Sequence, residues 1–142
     1  MNKNFKGFTL IELLVVVAII GFLSAVGVYS YNGYIKASKK QSAKNTMMQI
    51  GLAQTEFYSN SGFYWYNGLD DSTSCTAAGS DAATAAIGLG LFDKETYISP
   101  DVGFNFCVVE NGANFEVQAV YKADTTCMLR LDDSNVIDDT DC

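Results

Sequence analysis

The sequence predicts an α+β fold, with one long N-terminal α-helix packed on a C-terminal antiparallel β-sheet. Three observations carry this. Residues 8–28 form an apolar run of helical length, interrupted by the polar residues Thr9, Glu12 and Ser24. Apolar positions then recur near 3.6-residue spacing through Ala43, Met47, Ile50, Phe57 and Tyr58, with Gln54 the exception. Past residue 103, short segments with strand character alternate with turn residues.

The helix is predicted over 8–59. At 1.5 Å per residue its apolar part extends about 30 Å, the thickness of one bilayer core. Lys3 and Lys6 precede it without an acid, which places residues 1–7 in the cytoplasm and the rest outside. Lys36, Lys39, Lys40 and Lys44 weaken that bias, but all four cysteines lie beyond the span, as export requires. Residues 29–34, with Tyr29, Tyr31 and Tyr34, read as an aromatic belt at the interface. The basic face of Lys36, Lys40 and Lys44, with Gln41, reads as solvated or as a partner for acids of adjacent copies.

An apolar N-terminal run has three readings: a secretory signal, a passive anchor, or an anchor built for assembly. Glu12 separates them. It is the one charged residue in 8–31, and a carboxylate inside a membrane is costly enough to imply a function. Neither a signal nor a passive anchor has a use for it.

Gly7-Phe8-Thr9-Leu10-Ile11-Glu12-Leu13 resembles the cleavage and methylation signature of the type IV pilin family. The resemblance is close over residues 3–28 and elsewhere concerns general layout. It implies a leader at 1–7, cleavage after Gly7 by the prepilin peptidase, and N-methylation of Phe8. It also implies an assembly role for Glu12, whose carboxylate would meet the Phe8 amine of a neighbouring subunit and set register. The implied partners are other copies in a helical filament, the inner membrane before assembly, and an inner-membrane assembly platform with a cytoplasmic ATPase. The family pattern often has a proline where Tyr29 stands, so a kink there is not assured.

The globular part is predicted over 60–142. A variable loop spans 60–103, an antiparallel meander 104–131, and a disulfide-closed tail 127–142. The aromatics at 63–66 read as a minicore under the loop or, less favoured, as a surface-binding platform of Tyr64, Trp65 and Tyr66. Residues 81–91 carry a short helix capped by Asp81 and stopped by Gly88 and Gly90. Strands are predicted at 104–109, 115–121 and 127–131, the first two joined through Asn111-Gly112. Four cysteines allow three pairings. The preferred set is Cys127–Cys142 with Cys75–Cys107. The first pair closes a loop of 14 intervening residues.

Composition narrows the chemistry. The net charge of -7 argues against nucleic acid as a direct high-affinity partner. There is no histidine, the commonest general base and transition-metal ligand. No nucleophile elbow or Walker loop is present. The chain therefore reads as structural rather than enzymatic, with no cofactor. Asp132, Asp133, Asp138, Asp139 and Asp141 are weak calcium candidates, since their order does not match an EF-hand. The functional expectation is a pilin of a type IV pilus used for adhesion, surface motility or DNA uptake. The alternatives are a pseudopilin of a type II secretion system, or a minor pilin that primes assembly.

Overall fold

The computed structural model describes residues 7–67 and 80–142. Residues 1–6 of the expected leader, and Cys75, the expected partner of Cys107, lie outside the described residues. The chain divides into two compact units, Met1–Ser38 and Lys39–Cys142. Helix α1, Leu10–Ser61, contributes to both.

In the first unit α1 is exposed along its apolar length, including Leu10, Ile11, Leu14, Ile20, Phe22 and Leu23. It is long and apolar enough to cross a membrane. Ser24, polar in this stretch, donates its hydroxyl to the Ile20 carbonyl at 2.7 Å. That bond satisfies the hydroxyl without water.

In the second unit Ala43, Met47, Ile50 and Gln54 of α1 are all fully buried. Their spacing of three and four residues puts them on one helical face. They pack with Phe104, Phe106, Val108, Phe115, Val117, Ala119, Leu129 and Leu131 in one core. The sheet that supplies these residues has four strands in the order β1-β2-β3-β4. These are β1, Phe104–Asn111; β2, Asn114–Tyr121; β3, Asp124–Asp132; and β4, Ile137–Asp141. All neighbours are antiparallel. Alternate residues of β1 to β3 face the α1 core, while Cys107, Val120 and Met128 pack with Ala83 in a smaller cluster.

Helix α2, Asp81–Phe92, packs beside β1. Its N-cap is Ser80, whose hydroxyl accepts from Ala83 N at 3.2 Å; Asp81 is the first helical residue rather than the cap. Gly88 and Gly90 do not stop the helix. They lie inside it, because other groups come too close for a side chain. A Cβ on Gly88 would sit 2.5 Å from the Lys94 carbonyl oxygen, and one on Gly90 would overlap the Trp65 ring. The helix ends instead at Asp93, in the left-handed conformation, φ 54°.

The meander has a fourth strand. The acidic end of the chain, predicted as a disulfide-closed tail without a strand of its own beyond 131, pairs with β3 as β4. The hairpin turn Gly112-Ala113 is tighter than expected, with Asn111 paired to Asn114 and Gly112 at φ 65°.

At the middle of the free edge of β1 the backbone groups of Phe106 and Val108 are occupied. Thr84 Oγ1 accepts from Phe106 N at 2.9 Å, and Asn67 Oδ1 accepts from Val108 N at 2.7 Å. Asn67 N donates to the Val108 carbonyl at 2.9 Å. On β4, Thr140 N donates to Asp138 Oδ1 at 3.0 Å and Cys142 N to the Asp139 carbonyl at 3.2 Å.

Gln54 breaks the apolar pattern for a specific purpose. Its amide forms a two-pronged clip on the Trp65 backbone: Nε2 donates to the carbonyl at 2.6 Å and Oε1 accepts from the N–H at 2.9 Å. The segment after α1 thereby gains pairing it would otherwise lack. Replacing Gln54 by Leu keeps the bulk but leaves both Trp65 groups unpaired, at a cost of about 1–3 kcal/mol each when buried. Urea unfolding of the full chain in detergent, followed by the single tryptophan, Trp65, should show the midpoint of Gln54→Leu shifted to lower denaturant.

Candidate functional site

The predicted site residues within the described chain lie mainly in three regions, one in the first unit and two in the second. The first is the start of α1. Gly7, Phe8 and Thr9 are outside any regular element, and the helix begins at Leu10. Glu12 lies in its first turn. Its Oε2 accepts from Thr9 N at 2.9 Å and from Thr9 Oγ1 at 2.7 Å. In return Thr9 Oγ1 accepts from Glu12 N at 3.3 Å. The Thr9 carbonyl takes the first helical bond, from Leu13 N at 3.3 Å. This is a reciprocal capping box, with Thr9 at the N-cap and Glu12 at the third helical position. It satisfies two of the N–H groups that a helix start leaves without partners. Thr9 had drawn no functional reading, although Thr-x-x-Glu before an apolar run is a sequence-level cap signature. Phe8 is 86% exposed.

The second region is the tail of the larger unit. Cys127 and Cys142 are joined by a disulfide at a sequence separation of 15, so the end of the chain is tied to β3. Closing a loop of this size stabilises by about 3 kcal/mol in the chain-entropy model.

The five tail aspartates are not gathered around one point. Asp132 Oδ1 accepts from Val136 N at 2.8 Å and shapes the β3–β4 turn. Asp138 accepts from both the N–H and the hydroxyl of Thr140, which hold its carboxyl below the usual range. Asp141 pairs with Arg130 at 2.8 Å. Asp139 meets Lys44 at 2.7 Å and Lys40 at 3.0 Å. Asp133 is exposed on the turn. Among the described residues no group of three or more metal-ligating side chains is placed to hold an ion. The Lys40 and Lys44 face of α1 is therefore turned to a carboxylate of its own chain, not only to solvent or to other copies. A pairing across 95 residues has no local sequence signal.

Tyr64, Trp65 and Tyr66 are half-buried and packed on the core. Tyr64 stacks on Tyr58, with ring centres 4.5 Å apart, and also meets Phe115 at 4.9 Å. Burial, with the nearby Glu110 charge, pushes the Tyr66 hydroxyl up. These contacts spend much of the three rings' surface inside the domain. Phe63, beside Phe57 at 5.6 Å, is the more exposed aromatic.

Comparison with known proteins places the first region. The prokaryotic N-terminal methylation motif matches residues 2–28. The type IV major pilin protein PilA of Myxococcus xanthus is 40% identical over 63 residues, 44% of this chain and 29% of the relative. PilE of Neisseria gonorrhoeae, also a type IV major pilin protein, is 38% identical over 84 residues, 58% of this chain and 47% of the relative. Over its N-terminal part the chain is similar to type IV pilins. A type IV major fimbrial protein FimA of Dichelobacter nodosus is 51% identical over 52 residues, 37% of this chain and 31% of that pilin. The chain spans less than half the length of each of these three curated relatives. No solved structure matches the chain. Its long N-terminal helix followed by an antiparallel sheet is consistent with the type IV pilin fold.

The tail carries a pH dependence. Lys44 first, and then Lys40, bring the Asp139 carboxyl from the usual 3.8 to about 2. A carboxyl with a lowered folded value binds fewer protons in the fold than in the unfolded chain, so its contribution is complete above 3.8 and is lost as pH falls through about 2. The stability gap between the wild type and Asp139→Asn should be constant at neutral pH and close as pH falls from 3.8 to about 2. Denaturant unfolding across that range measures it. Added salt should shrink the gap at neutral pH, because the pair is partly exposed.

Proposed function

We propose that this protein is a pilin, a structural subunit that polymerises into a type IV pilus filament. The observation that carries the reading is the placement of one carboxylate, Glu12, four residues beyond Phe8 in the otherwise uncharged stretch 8–31, whose apolar side chains from Phe8 to Val28 are exposed. The relatives named as major pilins and fimbrial proteins support it.

In this reading residues 1–7 are a leader. The prepilin peptidase cuts after Gly7 and methylates the new amino group of Phe8. Residues 8–31 hold the subunit in the inner membrane, with residues 60–142 on the periplasmic side, and later lie in the filament core. Extraction from lipid is compensated as each apolar helix packs against others. The chain carries no nucleotide-binding loop, so an assembly platform with a cytoplasmic ATPase supplies the work, and the subunit itself catalyses nothing.

Glu12 gives the polymer its register. Cleavage leaves a cation at Phe8, close to the positive end of the helix dipole. A neighbour's Glu12 neutralises it in surroundings where neither charge has water. Removing the carboxylate leaves the cation unpaired inside an apolar bundle, which is strongly unfavourable. Glu12→Ala should still be cut at Gly7–Phe8 while surface filaments fall below detection. Electron microscopy of sheared filaments, with mass spectrometry of the subunit N-terminus, reads both outcomes. Wild-type filament yield from the variant would refute this role.

A further inference from the structure

We propose that Thr9 is a positioning residue for cleavage of the Gly7–Phe8 peptide bond, because it stops the helix before the scissile bond. The inference rests on reading residues 1–7 as a leader. Cleavage adds water across that bond, leaving a carboxylate on Gly7 and an ammonium group on Phe8. A peptidase that grips its substrate through main-chain hydrogen bonds needs extended backbone with free N–H and C=O groups. A helix ties both up internally.

The geometry at the start of α1 meets this need. Helix begins at Leu10, and Gly7, Phe8 and Thr9 stand outside it. The boundary coincides with the capping box, in which the Thr9 N–H is turned to Glu12 Oε2 and the Thr9 hydroxyl to Glu12 N. An N-cap residue has non-helical backbone while its carbonyl already accepts the first helical bond, as the Thr9 carbonyl does from Leu13 N. The cap lies one residue beyond Phe8, so the scissile bond is held in non-helical chain next to a rigid start point. Every atom of the cap is C-terminal to the cut, so it holds before cleavage and after it.

Thr9 and Glu12 are separable here. Without the Glu12 carboxylate, the Thr9 hydroxyl still accepts from the residue 12 N–H. Without the Thr9 hydroxyl, that N–H loses its partner and helix can extend toward Phe8.

The test is the initial rate of cleavage of the full chain by purified prepilin peptidase in detergent. The substrates are wild type, Thr9→Val, Thr9→Ser and Thr9→Asn. Valine keeps the shape and loses the cap, while serine and asparagine both cap but differ in shape. Loss of an ordinary cap shifts a helix-start equilibrium about fivefold. Thr9→Val should therefore be cut about fivefold more slowly, with Thr9→Ser and Thr9→Asn close to wild type. Amide exchange at Ile11, whose N–H then reaches the Gly7 carbonyl, should slow in Thr9→Val alone. Thr9→Val cut at the wild-type rate would overturn the proposal. So would Thr9→Asn as slow as Thr9→Val, which would mean that the peptidase reads the threonine shape directly. A wild-type chain left uncut would remove the leader reading itself, a failure visible before any variant is compared.

Discussion

One face of α1 has to be buried for the larger unit to exist. Ala43, Met47, Ile50 and Gln54 are its contribution to the core, and the inner faces of β1, β2 and β3 close over them. This sets the division of the chain at Ser38–Lys39, inside the helix rather than at its end. Before that point the described apolar side chains of α1 from Leu10 to Val28 are exposed. Beyond it, the same helix becomes half of a domain interior. A single element thus answers to two solvents, and the change is written in which positions are apolar rather than in the backbone.

The core also organises what is attached around it. Gln54 reaches from the buried face to hold Trp65, and Trp65 in turn lies against Gly90 of α2. Asn67 and Thr84 carry the same surroundings to the edge of β1. On the other side, Lys40 and Lys44 leave α1 beside the buried face and meet Asp139 of β4. Both margins of the sheet are therefore referred back to α1, by an amide and aromatic route on one side and an ionic route on the other. The ionic route is exposed and screened, which leaves the Cys127–Cys142 bond as the firmer tie on the last strand.

The parts of this arrangement that were legible in the sequence are those with a local or periodic cause. The apolar run, the helical spacing to the end of α1, the Asn-Gly hairpin and the methylation motif all announce themselves within a few residues. The rest depends on distant partners. Gln54 looked like a fault in the pattern because its purpose is at Trp65. Gly88 and Gly90 looked like helix stops because the groups that crowd them, Lys94 and the Trp65 ring, cannot be placed in advance. The strand Ile137–Asp141 looked like a solvated loop because three of its five residues are acidic. It is a strand because β3, Lys40, Lys44, Arg130 and Cys127 await it. Thr9 is different: the Thr-x-x-Glu spacing is a local cap signature, and it shares Glu12 with the methylation motif.

The occupied margins of the sheet have a meaning for life in a crowd. In the filament proposed above, each chain would lie at close quarters with identical copies. An open strand margin under those conditions would knit copies together in arbitrary registers, as exposed edges are prone to do. The Asn67 and Thr84 plugs on one side, and the locally spent N–H groups and acidic side chains of β4 on the other, make the sheet a poor template for that adhesion. In such a filament, contact between copies would fall to surfaces other than the sheet margins.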